Sequence, residues 1–331
     1  MIWLAWRQHR RQALFTLLGF AVLAALMIPI GLSMRHTFTD LGLADCVRQV
    51  TRADVAPATL EGCQATFHRF TNRYGSLNFV AVLLLVLPML VGLFWGAPLV
   101  AREVEHGTHR FAWTQGVSRT HWALVKFGLV IALTVIFAVC YGLGMSWWVY
   151  PLTQAANQGR LGFIVFDLQG VAPIGYTLFA VALGIFAGTL GRRMLSAMTV
   201  TLVGFIGVRA AVALLARPHY LPARTLTFPV EGAGSVRMTH GDWILASGVR
   251  DAGGKMVAAD AQIMCSQRPG APAPGGGACG ADLGLGPGAY NWELYQPAGR
   301  FWLFQGIETG IFVALAALLL YLAVRRIRRI A

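Results

Sequence analysis

Two carboxylates stand in an otherwise basic run, Glu103 and Glu105 in Gly96–Trp122 (GAPLVAREVEHGTHRFAWTQGVSRTHW). Carboxylates grouped near arginines make strong, directional contacts with cationic partners. The run therefore reads as a docking element rather than a reaction centre. Patterns that would support catalysis are missing. Lys126 and Lys255, the only lysines, sit in Val-Lys-Phe and Gly-Lys-Met, so no G-x-x-x-x-G-K-[ST] loop cradles phosphates. Neither H-E-x-x-H nor G-x-S-x-G occurs. His106 and His109 lack an obvious thiol or carboxylate partner and read as solvated interface histidines. No catalytic, cofactor or metal site is expected, and the chain is not read as an enzyme.

Two further groups bear on function. Arg209 and Glu308 are the ionisable residues embedded in long apolar stretches. At 1.5 Å per residue both lie roughly 8–11 Å below the same surface, which makes an intramembrane ion pair feasible. The alternative is that each snorkels separately, which is easier for Arg than for Glu. Cys46 and Cys63 fall in one loop and Cys265 and Cys279 in another; pairing within each loop is the simplest of three connectivities. Cys140 reads as a small core residue.

The elements that position these residues follow from composition. Of 331 residues, 56% are hydrophobic and 12% charged. A soluble domain carries about 25% charged residues, so a soluble enzyme and a disordered tail are both excluded. Six stretches reach the roughly 20 residues a bilayer-crossing helix needs: Ala13–Met34, Leu77–Val100, Phe127–Val149, Val171–Leu190, Met194–Ala216 and Leu303–Val324. The expected fold is an all-α integral membrane protein with six transmembrane helices. The first span follows Arg7, Arg10 and Arg11 but is too long for a cleavable signal and has no small-x-small site, so it reads as an uncleaved anchor.

The net charge of +13 would point to nucleic acid in a soluble protein. Here its placement decides instead. Residues 1–13, 101–126, 192–193 and 325–331 hold 13 basic residues against Glu103 and Glu105, whereas 35–76, 150–170 and 217–302 hold 13 basic and 11 acidic ones. Basic residues packed into short segments mark the cytoplasmic side, so both termini are cytoplasmic. The partner on that leaflet is anionic lipid, not nucleic acid. Four of the five cysteines then lie on the oxidising side.

On this plan residues 1–12 form an N-terminal interfacial helix and 325–331 a basic cytoplasmic tail. The 101–126 segment is a cytoplasmic loop in which Gly107-Thr108 breaks the helix, Arg110–Val117 forms a short surface helix and Ser118 caps the third span. The two sizeable extracytoplasmic loops are 35–76, two short helices around Cys46 and Cys63, and 217–302. Within the latter, Pro269–Gly280 is low-complexity, while Thr225–Val230, Trp243–Val249 and Tyr290–Tyr295 are short strands or interfacial pieces. Trp122, Trp147, Trp148 and Trp302 read as border residues. Gly184 and Gly188 form a small-xxx-small pair, and Pro88 can kink the second span.

The run Ala101-Arg102-Glu103-x-Glu105-x-Gly107-Thr108, followed by Thr114-Gln115 and Ser118-Arg119, resembles permease subunits of type-2 ATP-binding-cassette (ABC) exporters, in their actinobacterial branch. The opening Trp3-Leu4-Ala5-Trp6-Arg7-Gln8-His9-Arg10 and the closing Tyr295-Gln296-Pro297, Arg300-Phe301-Trp302, Gln305 and Ile307-Glu308-Thr309-Gly310 carry the same resemblance. It implies a bacterial multi-pass cell-membrane protein that pairs with a second permease copy, identical or not. It further implies a separate cytoplasmic ABC ATPase that holds the ATP and Mg, so this chain needs no cofactor. Arg102, Glu103, Glu105, Gly107, Thr108 and Arg119 then belong to a coupling helix pressed by that ATPase, and the cargo is a lipophilic drug, peptide or lipid. A non-transporting anchor or sensor with a ligand-binding outer loop is the alternative. An intramembrane enzyme fits worse, since no span carries His or Asp.

Overall fold

The computed structural model describes residues 2–50, 57–105, 118–155, 159–190, 193–230, 241–263, 284–285 and 288–329. Among them six helices are long and apolar enough to cross a membrane: Leu17–Asp40, Leu77–Arg102, Thr120–Ala155, Ala172–Leu190, Met194–His219 and Ala298–Arg328. The first belongs to α1 (Ile2–Asp40), which runs on from the N-terminal segment without a break. Two short helices follow, α2 (Leu43–Val50) and α3 (Pro57–Tyr74). They form a cap closed by the Cys46–Cys63 disulfide, with Cα atoms 5.4 Å apart. The Tyr74 hydroxyl ties the cap to α1 by hydrogen bonds with Ser33 Oγ (2.9 Å) and Thr37 Oγ1 (3.0 Å).

The second span is interrupted. It comprises α4 (Leu77–Leu84), α5 (Leu87–Val91), a π turn (Gly92–Gly96) and α6 (Ala97–Glu105). Pro88 has no N–H to give the carbonyl four residues back, that of Leu84. Tyr141 Oη donates to that carbonyl at 2.8 Å from the third span, α7 (Arg119–Ala155). A neighbouring helix thus satisfies the backbone group that Pro88 frees, as a membrane interior requires. The expected cap of α7 is present: His121 N–H donates to Ser118 Oγ at 3.3 Å.

The centre of the bundle is α9 (Ala172–Leu190), preceded by the short helix α8 (Phe163–Leu168). Apolar on all sides, α9 packs against the second span, α7, α10 (Met194–Ala211) and α11 (Phe301–Arg329). Small residues permit that approach. A Cβ on Gly184 would lie 2.6 Å from both Ala97 N and Gly92 O, and one on Gly92 would lie 2.6 Å from Ala180 C. The Gly184/Gly188 pair therefore has a partner stripe in Gly92, Gly96 and Ala97, so backbones meet directly.

Trp122 and Trp148 depart from the border role and are buried, whereas Trp302 is exposed. The neighbouring Trp147 lies against Gly31 of α1, where a Cβ would run into its indole and meet Trp148 at 3.1 Å. Cys140 also departs from expectation: it is exposed on the outside of the bundle.

The all-α expectation is corrected by a four-stranded antiparallel sheet between α10 and α11. Its strands are β1 (Arg224–Pro229), β2 (Trp243–Arg250), β3 (Met256–Ala259) and β4 (Tyr290–Gln296), in spatial order β1-β4-β2-β3. The three patterned segments of the 217–302 loop become β1, β2 and β4, and β3 is added. The physical reason is long-range pairing: Arg224 stands opposite Tyr295 and Trp243 opposite Gln296, contacts that no local propensity announces. Val230, Val249, Leu285 and Ala289 give the sheet a small core of its own.

Candidate functional site

The helix ends on the sheet side converge on a buried set of charges. Arg217 follows α10 through a π turn (Val212–Ala216) and opens a 3-10 turn (Arg217–His219). Arg209 lies eight residues earlier, about one residue more than two α-helical turns. A π turn absorbs such a surplus, and both guanidinium groups therefore point to the same side. Asp167 comes from α8, Tyr176 from the second turn of α9, and Glu308 from α11.

Arg217 is 1% exposed, and Asp167 and Glu308 side chains are fully buried. Arg217 Nε donates to Glu308 Oε2 at 2.8 Å, and Nη2 reaches both Glu308 Oε1 and Asp167 Oδ1 at 2.6 Å. Arg209 Nη2 donates to Asp167 Oδ2 at 2.8 Å. The Tyr176 hydroxyl lies 2.8 Å from Asp167 Oδ1 and 2.5 Å from Glu308 Oε1, so one hydrogen faces two carboxylates. Rings close the site: the Arg209 guanidinium sits 4.7 Å over Tyr176 and that of Arg217 sits 4.2 Å over Phe166. Two arginines against two carboxylates leave the cluster neutral, the condition under which ions tolerate a membrane interior.

Tyr220 completes it by donating to Glu308 Oε2 at 3.1 Å. Burial first, then the charge of Glu308, push its hydroxyl above the usual tyrosine value, which keeps it a donor. One turn before Glu308 on α11, Gln305 clamps the approach to α9. Its Oε1 accepts from Val171 N (2.9 Å) and Ala172 N (2.7 Å), while its Nε2 donates to Phe166 O at 2.8 Å. Gly170 is required in that turn: its φ is +74°, and a Cβ would lie 2.8 Å from Gln305 Oε1.

Such a cluster has no free carboxylate to bind a metal and no nucleophile. What it can do is hold four chain segments together by contacts that are either fully made or broken. Residues 17–217, more than half of the chain, match the family described as ABC-2 membrane transporter related. The chain belongs to that family. No curated protein and no solved structure matches it.

In this ABC-2 chain Arg209 and Glu308, whose matching depths make a pair feasible, neither pair directly nor snorkel apart. Both residues enter one network, but Arg209 takes Asp167 and Glu308 takes Arg217. The cause is topological. The helix α8 folds back into the bundle and brings Asp167 with it, and Arg217 lies inside the end of the fifth span rather than in the loop beyond. Asp167, Tyr176, Arg217 and Tyr220 were not singled out by sequence. Their signal was position: each lies within a turn or two of a span end on the same side.

On the opposite side of this ABC-2 bundle, Glu105 ends α6 and accepts from Met194 N–H at 2.9 Å. Met194 is the first residue of α10, whose own N-cap position, Arg193, makes no side-chain capping bond. A carboxylate at a helix N-terminus stabilises its unpaired N–H groups. Arg102 is exposed on α6. The side chains of Glu103 and Arg119 lie outside the described residues. So do Gly107, Thr108, the 110–117 surface helix, Cys265 and Cys279.

Proposed function

We propose that this chain is the membrane-spanning permease subunit of an ABC exporter in a bacterial cell membrane, with its termini in the cytoplasm. It pairs with a second permease copy, and ATP with Mg is hydrolysed on a separate ABC ATPase. The observation that carries the reading is the ABC-2 family match over residues 17–217, a family whose members generally serve as non-catalytic membrane subunits alongside such an ATPase. Its cargo is lipophilic, in keeping with spans whose faces are almost wholly apolar.

Mechanically, ATPase closure presses on the 101–126 loop through Arg102, Glu103, Glu105, Gly107, Thr108 and Arg119. Glu105 passes the displacement to α10 through Met194; the far end of α10 carries Arg209, and the turns that follow it carry Arg217. The buried network acts as a latch on the outer side, made in one state and remade in the other. Coupling of this kind needs contacts that differ between states.

The test is purification of the tagged chain in mild detergent from its own host. An ABC ATPase should co-purify and be lost on Arg102→Ala with Glu103→Ala, at an unchanged thermal midpoint of the permease. A chain that elutes with no ATPase, and whose membrane vesicles show no ATP-dependent dye movement, would overturn the reading.

A further inference from the structure

The segment that carries Arg217 and Tyr220 into the network has a second face. Pro218, Leu221, Pro222 and Ala223 form one wall of a cavity of about 550 Å³, with Trp243, Ile244 and Leu245 of β2 and Leu294 of β4 opposite. The volume lies within the roughly 300–1,000 Å³ of small-molecule sites. Both walls have a definite structural origin. In a regular strand consecutive side chains alternate between faces. Here Trp243, Ile244 and Leu245 all line the cavity, because the β2–β4 register shifts between Ile244 and Ala246. A bulge re-aims a side chain in this way.

The other wall is held from behind. Buried Gln296 donates through Nε2 to Pro218 O (3.2 Å) and Leu221 O (2.7 Å). Arg300 Nη1 donates to Pro222 O (2.7 Å) and Gln296 Oε1 (2.6 Å). These carbonyls are therefore committed away from the cavity. None of the lining residues carries a fixed charge, so an ionic ligand would have no counter-ion. His219 supplies the one imidazole there. Its Nδ1 faces Leu215 O at 3.0 Å, and a carbonyl only accepts, so Nδ1 carries the hydrogen. In the neutral ring Nε2 is then an acceptor, complementary to a ligand O–H. One turn back, Leu214 and Leu215 of the π turn are exposed, an apolar approach from the bilayer.

We propose that this cavity binds an uncharged single-chain amphiphile, with its apolar body between the proline-rich segment and the β2 bulge and its hydroxyl on His219. Occupancy braces the segment whose other face supplies Arg217 and Tyr220, so the ligand favours the assembled network. The inference stands apart from transport: a chain that binds this lipid and moves nothing would still possess the site.

The test uses the full chain in phosphatidylcholine nanodiscs, since detergent tails would compete. The probe is a monolauroylglycerol analogue carrying a diazirine and an alkyne on its chain. Photolabel should map to peptides containing 218–223 or 243–245 and fall at least tenfold with excess unlabelled monolaurin. Ala223→Trp or, from the opposite wall, Leu245→Trp should abolish it. His219→Phe should weaken monolaurin competition several-fold but leave that of methyl laurate, which has no O–H, unchanged. Label on the wild-type chain confined to the outer faces of the spans, or unaffected by competitor, overturns the proposal whatever the variants do.

Discussion

Glu308 receives four hydrogen bonds: from Arg217 Nε at 2.8 Å and Nη2 at 2.6 Å, from Tyr176 at 2.5 Å and from Tyr220 at 3.1 Å. Glu308→Gln keeps the shape and removes the charge, stranding part of the Arg217 cation where almost no water reaches it. Cutting one partner from a buried pair costs about 3–5 kcal/mol, mostly because the other charge is left uncompensated. Arg217→Met should cost the same for the mirror-image reason. The double variant behaves differently. With both charges gone, Asp167 still has Arg209 at 2.8 Å, and the remaining cluster is neutral again. The double should therefore be less destabilised than the sum of the singles by about 2 kcal/mol, within the range of contacting residues.

The assay is reversible SDS unfolding in bicelles, followed by fluorescence, for wild type, both singles and the double. The same cycle with Arg209→Met and Glu308→Gln gives the comparison, because those two side chains meet only through Asp167 and Tyr176. Its coupling should be smaller. Additivity within about 0.5 kcal/mol for Arg217 with Glu308 would refute the geometry. So would a larger coupling for Arg209 with Glu308, which would restore the pairing that depth alone makes feasible.

Three other sets of substitutions address the supporting elements. Gly184→Ala should abolish monodisperse elution in size-exclusion chromatography, since its Cβ would meet backbone at 2.6 Å, whereas Gly207→Ala, with nothing within 4 Å, should elute as wild type. Replacing Cys46 and Cys63 by Ser should cost about 3 kcal/mol, the value for a loop of this size, and reductant should lower the thermal midpoint of wild type to match. Glu105→Gln should destabilise the isolated chain by about 0.5–2 kcal/mol through the weakened cap on α10, measurable without any ATPase present.

The spans were legible because hydrophobic length is a local property: twenty apolar residues identify themselves wherever they pack. Ser118 was legible for the same reason, since a cap lies three residues from the N–H it serves. The sheet was legible only in part. Its strands show as patterned runs, but their pairing joins residues some seventy positions apart, such as Arg224 with Tyr295, and β3 is too short to stand out. The network was the least visible. Arg209 and Glu308 stood out as charges in apolar sequence, yet their partners sit where a linear reading draws loops. The α8 helix re-enters the bundle, and a π turn adds one residue of rotation before Arg217. Neither event leaves a hydropathy signal.

The position of α10 ties these observations together. Met194 to Arg217 is 24 residues, roughly 35 Å along the axis, enough to cross a hydrocarbon layer of about 30 Å. Over that length its outer face, with Leu195, Val200, Val203 and Ile206, is exposed and apolar. Apolar side chains lose nothing by exchanging one hydrocarbon neighbour for another, so lipid does not fix the tilt of the helix. The packing of its inner face, with Ala197 and Phe205, does so together with polar contacts at its two ends: the Met194 N–H on Glu105, and Arg209 with Arg217 on Asp167 and Glu308. A helix held in this way responds to force at one end by straining the hydrogen bonds at the other. On the proposed mechanism, breaking and remaking those short-ranged bonds would switch the helix between arrangements rather than let it drift. Net neutrality of the cluster matters here. Rearranging two arginines among two carboxylates exchanges partners without ever placing an unpaired ion in the membrane interior.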